Sequence, residues 1–243
     1  MINLKILVIA QEGLDGTKLD LKAVVLDMDG TITNFNIDYM EARRVALDLL
    51  AEMNLRTPDM NEQFSIYLIL KRLKVTLDVD TYASLRNRLY RLLEGVETKA
   101  AKEVTIYPGV LETLDCLQKR ALKLGLVTNN GRVGTNLTLS RLGLSSFFTA
   151  VVTRDDCEEM KPDAGPIREV LRELSVGVEN TILVGDGVMD IEAARATGVS
   201  SVAVATGPFS GERLIKAGPD YLLGSVNDIL QLVELLDGKL GGQ

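Results

Sequence analysis

The 243 residues carry a net charge of −7, with 46% hydrophobic and 25% charged side chains. That is enough apolar material for one large domain, or for a domain with an insertion. The acidic balance argues against a general nucleic-acid or membrane-surface binder. The chain has no histidine, which excludes Ser-His-Asp and Cys-His nucleophile systems and every histidine-ligated zinc site. Two cysteines, Cys116 and Cys157, cannot build a tetrathiolate site and fit a reducing compartment. Chemistry must run on carboxylates, Lys, Arg, hydroxyls, backbone amides or an oxygen-bound metal.

Residues 4–10 read as a strand, and Gly13-Leu14-Asp15-Gly16 as the turn of an added hairpin leading into the first core strand. The apolar run Leu4–Ala10 is short and meets Gln11-Glu12, so neither a signal peptide nor a membrane span is expected, and a cytoplasmic location is. Residues 23–27 follow as a buried strand that stops at Asp27-Met28-Asp29-Gly30. If extended geometry persists through Met28, the two carboxylates face one site. From Ile37 to Ala101 the pattern turns helical. Asp38 is the expected cap of a helix with Met40, Leu47 and Leu50 on one side. Thr57-Pro58 reads as a second helix start ahead of Phe64, Tyr67 and Leu68. Leu85, Leu89, Leu92 and Val96 mark a third helix.

Tyr107-Pro108-Gly109 marks the return, followed by a helix with Leu111, Leu114 and Leu117. A strand over 124–127 ends at Thr128-Asn129, and a helix with Leu137 and Leu142 leads to strand 150–152. Lys161-Pro162 precedes a helix over 164–174, and strand 181–184 runs into Gly185-Asp186-Gly187-Val188-Met189-Asp190. A helix over 190–196, strands at 201–204 and 221–223, a helix over 226–237 and a fraying Gly-rich end complete the chain. This alternation predicts βαβ units and a mostly parallel, Rossmann-like sheet with helices on both faces. The expected domains are an α/β core of residues 1–36 and 106–243 and a small all-helical insertion of residues 37–105.

Polar residues leave separate strands at Asp27/Asp29, Thr128/Asn129 and Asp186/Asp190. In a parallel sheet those ends share one edge, where open α/β folds bind ligands. Taken singly, each motif has an ordinary explanation as a turn or helix cap. Together they predict a cluster of acids. Two such charges 4 Å apart repel by about 4 kcal/mol at an effective dielectric near 20, so either some protonate or a divalent cation sits among them. An all-oxygen ligand set points to Mg²⁺. A carboxylate beside such an ion can attack phosphorus, and its neighbour two residues on can protonate the leaving oxygen and later deprotonate water. Thr128 and Asn129 offer a hydroxyl and an amide to phosphoryl oxygens, and Lys161 supplies positive charge.

Asp27-x-Asp29-Gly30-Thr31, Thr128-Asn129, Lys161-Pro162 and Gly185-Asp186-x-x-x-Asp190 resemble the four ordered motifs of the haloacid dehalogenase (HAD)-like hydrolases. The likeness covers residues 20–237 and is nearest the phosphoglycolate phosphatase-like branch, helped by Ala205-Thr206-Gly207. The helical insertion resembles that superfamily's C1-type cap. The resemblance implies Asp27 as nucleophile and Asp29 as acid/base, with the Asp29 main-chain carbonyl on Mg²⁺. It further implies that Thr128 and Lys161 hold the phosphoryl group, that Asp186 ligates the metal, and that Asp190 supports it directly or through water. Asp29 argues against dehalogenase and phosphonate-cleaving chemistry, since those relatives lack an acid there. The expected activity is Mg²⁺-dependent hydrolysis of a small phosphorylated metabolite, phosphoglycolate-like or a sugar phosphate, through an aspartyl-phosphate. The alternatives are a phosphotransferase or sugar phosphomutase of the same superfamily and a non-enzymatic receiver-like module; compact receivers lack such an insertion.

Overall fold

The structure is a computed structural model that describes residues 20–34 and 37–237, and the backbone of residues 6–8. In chain order the strands are β1 (Ile6–Val8), β2 (Ala23–Leu26), β3 (Lys123–Val127), β4 (Ala150–Val152), β5 (Thr181–Gly185), β6 (Ser200–Val204) and β7 (Tyr221–Leu223). They form one sheet in the order β1-β7-β6-β5-β2-β3-β4. Every pairing is parallel except that of β1 with β7. The described part of the strand expected within 4–10 therefore lies beside β7, away from β2. The rest of that expected strand, the turn at 13–16 and the tail at 238–243 lie outside the described residues.

Strand alternation explains the two layers. Val24, Leu26, Leu124, Leu126, Ile182 and Val184 feed one apolar cluster, with Leu114 and Leu117 of α4 (Val110–Lys119) and Leu232 and Val233 of α9 (Ile229–Leu236). Ala23, Val25, Val127 and Leu183 feed the other. There they meet Ile167, Val170 and Leu171 of α6 (Gly165–Leu174) and Ala193 and Ala194 of α7 (Val188–Thr197). Chain order reverses beside β2: β3 and β4 lie on one side of it, β5, β6 and β7 on the other. That switch point opens a crevice at the carboxyl ends of β2 and β5.

Between β2 and α4 stand α1 (Tyr39–Glu52), α2 (Ile66–Lys74) and α3 (Val79–Glu103). They share an apolar cluster of their own, with Leu47, Leu50, Ile69, Leu73, Leu85 and Leu89, into which Met160 also inserts. Asp38 caps α1 as expected, accepting the Glu41 N–H at 2.8 Å, but Met40 faces outward at 45% exposed. The second helix does not begin at Thr57-Pro58. Thr57 closes a local bond to Asp59, and Ser65 caps α2 by accepting the Leu68 N–H, so Leu68 points outward. On α3 the buried stripe runs through Leu85, Leu89, Leu93 and Val96, leaving the expected Leu92 exposed. On α4 it runs through Val110, Leu114 and Leu117, leaving Leu111 exposed. The helix α5 (Arg132–Arg141) buries Gly134, Thr135, Thr138 and Leu139 rather than Leu137. One helix has no counterpart in the sequence expectations, α8 (Gly211–Ala217), which buries only Leu214. No helix among the described residues is long and apolar enough to cross a membrane.

Candidate active site

The apolar strands carry their polar exits to one place. Asp27 follows β2, anchored by its N–H to the Val184 carbonyl at 2.9 Å. Thr128 follows β3, Asp186 follows β5, and Asp190 lies in the first turn of α7. Ligand oxygens of Asp27, Asp186 and Asp190 lie within 4.8 Å of one another, and all three residues are buried. Lys161 Nζ donates to Asp27 Oδ1 at 2.5 Å, to Asp190 Oδ1 at 2.6 Å and to the Val127 carbonyl at 3.1 Å. The other Asp190 oxygen accepts the Gly187 N–H at 3.0 Å, so the helix cap and the acid cluster are one structure.

Glycines clear the space. A Cβ at Gly207 would meet Asp186 Oδ2 at 1.7 Å, and one at Gly185 would meet Asp190 Cγ at 2.2 Å. Gly30 adopts φ +81° and would strike Asp186 at 2.4 Å with a side chain. The Gly207 turn is held nearby: Thr206 Oγ1 donates to the Gly30 carbonyl at 2.5 Å, and Tyr107 Oη donates to the Thr206 carbonyl at 2.9 Å. We expect Gly207→Ala to fold but to lose at least about a hundredfold in turnover, because a displacement near 1 Å at reacting groups costs that much. Steady-state kinetics alongside a thermal melt would show it.

Asp29 is held apart from the three-acid group. The chain bends at Met28, and Asp29 Oδ2 accepts from Asn130 Nδ2 at 2.5 Å. Thr128 is buried, its hydroxyl accepting the Asn130 N–H at 3.1 Å. Asn129 differs from the expectation that its amide faces a phosphoryl group. Its Nδ2 donates to the Lys161 carbonyl and its Oδ1 accepts the Lys161 N–H, both at 2.9 Å. The side chain thereby fixes the segment that carries the lysine. Strand-end spacing reveals neither Asn130 nor Tyr39, the first residue of α1. Tyr39 is 37% exposed; desolvation of its hydroxyl, with the charges of Asp29, Asp27 and Asp186, pushes that hydroxyl well above its ordinary value.

Burial governs the charges. It pushes the Asp27 carboxyl up to about 6 against the opposing pull of Lys161. Burial and the Asp27 charge push Asp29 up to about 7. Burial, Asp27 and Asp190 push Asp186 up to about 8. Burial alone would lower Lys161, but Asp190 and Asp27 outweigh it and hold the ammonium charged. One lysine thus faces three carboxylates, and the cluster has negative charge to spare. A buried, all-oxygen, electron-rich set of this kind suits a hard divalent cation.

Residues 24–204 match the family model of the haloacid dehalogenase-like hydrolases. The chain belongs to that family, and its sheet and helices on both faces are the family's fold. It is similar to a phosphoglycolate phosphatase of Shigella dysenteriae serotype 1, with 28% identity over 238 residues, 89% of this chain and 94% of the relative. It is also similar to the pyrophosphatase PpaX of Oceanobacillus iheyensis, with 28% identity over 220 residues, 88% of this chain and 98% of the relative. A hydrolase structure from Pseudomonas syringae superposes with a TM-score of 0.68 at 21% identity, covering 88% of this chain and 98% of that one.

Proposed function

We propose that this hydrolase is a Mg²⁺-dependent phosphatase acting on a small phosphorylated metabolite through an aspartyl-phosphate. The observation that carries the reading is the division of the acids: Asp27, Asp186 and Asp190 gather around Lys161, while Asp29 is bound separately by Asn130. The names of the relatives, a phosphoglycolate phosphatase and a pyrophosphatase, support a phosphate ester or anhydride of modest size.

Asp27 and Asp29 have the different environments that a nucleophile and an acid need. Burial raises both carboxyls, but the Lys161 ammonium pulls Asp27 back while the Asp27 charge raises Asp29 further, so Asp27 is the more readily ionised and Asp29 the better proton donor. In the first half-reaction an Asp27 oxygen bonds to phosphorus while the bond from phosphorus to the ester oxygen breaks. Asp29 gives its proton to that departing oxygen. In the second, water attacks phosphorus and loses a proton to Asp29, the Asp27–phosphorus bond breaks, and inorganic phosphate leaves. Lys161 and the Thr128 hydroxyl hold the phosphoryl oxygens. Asp27, Asp186 and Asp190, with the Asp29 main-chain carbonyl, would hold Mg²⁺. When bound, the ion neutralises the acids and offsets the charge of the phosphoryl group. Residues 37–105 act as a cap on a core of residues 1–36 and 106–243, closing over the site to exclude water; the separate apolar cluster of α1, α2 and α3 supports this division.

A panel of phosphate esters assayed for phosphate release, with Mg²⁺ and with chelator, tests the reading. Loss of turnover in chelator and recovery with Mg²⁺ is expected. Equal rates in both would end it. A folding measurement makes an independent check. Because the folded-state values of Asp27, Asp29 and Asp186 lie above the ordinary carboxylate value, the folded chain binds more protons than the unfolded one. Without metal, stability should therefore fall as pH rises from about 4 to about 8. Added Mg²⁺ should raise the melting temperature most at the alkaline end of that range.

A further inference from the structure

The loop that leaves β3 is held at almost every polar group. Arg154 Nη1 donates to the Asn129 carbonyl at 3.4 Å, and the Arg154 N–H donates to the Asn130 carbonyl at 3.1 Å. The Asn130 N–H goes to Thr128 Oγ1. The Gly131 N–H goes to Glu97 Oε2 at 3.0 Å. Glu97 belongs to α3, in the inserted helices, and makes a two-pronged ion pair with Arg154 through Nη1 on Oε1 and Nη2 on Oε2. Glu97 is 7% exposed and Arg154 3%. Arg154 also donates to the Tyr90 carbonyl, and its guanidinium lies 4.7 Å from the Tyr90 ring centre. There is no slack. A Cβ at Gly131 would meet Arg154 Nη2 at 2.9 Å, and one at Gly134 would meet Glu97 Cβ at 3.1 Å. A buried ion pair of this kind adds little net stability over a well-packed apolar contact, but it fixes geometry closely. What it fixes here is the segment from which Asn130 reaches Asp29.

We propose that Asn130 is a positioning residue for proton transfer, aiming the Asp29 carboxyl, and that the Glu97–Arg154 pair holds Asn130 in place for that task. The inference rests on Asp29 being the acid/base. The Asn130 amide donates to Oδ2, which leaves Oδ1 to carry the transferable proton. An acid aimed in this way matters most where the departing oxygen is a poor leaving group. The inserted helices then contribute to the chemistry through Glu97 as well as covering the site.

The test compares an alkyl phosphate with p-nitrophenyl phosphate, in Mg²⁺, for the unaltered protein, Asn130→Ala and Glu97→Gln, each also made in an Asp29→Ala background. Asn130→Ala should lower the alkyl-to-aryl ratio of kcat by about tenfold or more, and Glu97→Gln by a few-fold, within the range that general acid catalysis supplies. KM should change little. In the Asp29→Ala background the losses should not multiply. Alkyl and aryl rates falling together, or losses that multiply with Asp29→Ala, would overturn the proposal as a merely structural effect. Thermal melts check folding, and if Asn130→Ala does not fold, Asn130→Ser carries the same ratio test. Failure of the underlying reading looks different: no phosphate released from either ester by the unaltered protein, or an unchanged ratio in Asp29→Ala alone.

Discussion

Asp27→Asn should remove turnover by at least about four orders of magnitude, which corresponds to a barrier increase above about 5 kcal/mol, while the protein stays folded. An amide oxygen is a far weaker nucleophile toward phosphorus than a carboxylate, and no other acid takes the same place at the end of β2. Folding should survive for a physical reason. Burial already penalises the charged form of Asp27, and the amide oxygen can still accept from Lys161 Nζ. The melting temperature should hold or rise. Single-turnover assays would show no phosphorylated enzyme, whereas the unaltered protein should trap one phosphoryl group per chain. A variant that keeps rates within tenfold of the original would mean that another group attacks.

Lys161→Met should damage both activity and stability. Its ammonium is the cation paired directly with Asp27 and Asp190 among the described residues. Removing one partner of a buried ion pair commonly costs about 3–5 kcal/mol. For a chain of this size that is a fall of roughly 10 °C in melting temperature. Turnover should drop by about two to three orders of magnitude, the usual effect of deleting one preorganised donor to developing charge. The stability loss also has a signature in pH. Once the lysine is gone the remaining carboxylates repel, so the deficit should be largest near neutrality and shrink toward pH 5 as they protonate. A deficit that is the same at both pH values would mean that lost packing of the lysine stem is responsible.

The sheet was legible because its strands are short apolar runs that end at turn residues, and because parallel strands deliver those ends to one edge. Asp27, Asp186 and Asp190 meet for that reason. Boundaries within the inserted helices were less legible. Thr57-Pro58 looks like a helix start, but Thr57 spends its hydroxyl on Asp59. The helix α8 was invisible because one buried residue, Leu214, sets no period. The pairing of β1 with β7 depends on sheet order, which local pattern does not encode. Glu97 sits mid-helix and Arg154 in a loop, where each reads as an ordinary solvated charge. They meet where α3 packs against α5 and against the loop that follows β4. Asn129 and Asn130 are adjacent and chemically alike, so spacing could not say which one would reach Asp29 and which would bind the lysine segment.

The place of β2 in the sheet bears on how the chain acquires its shape. Ala23 lies beside Lys123 on one side and Thr181 on the other, so the central strand waits for partners synthesised long after it. Closing such distant loops is entropically slow, and topologies dominated by remote pairings fold in milliseconds to seconds or longer. Until β5 arrives, one margin of β2 stays open and sticky, a liability for self-association during renaturation at high concentration.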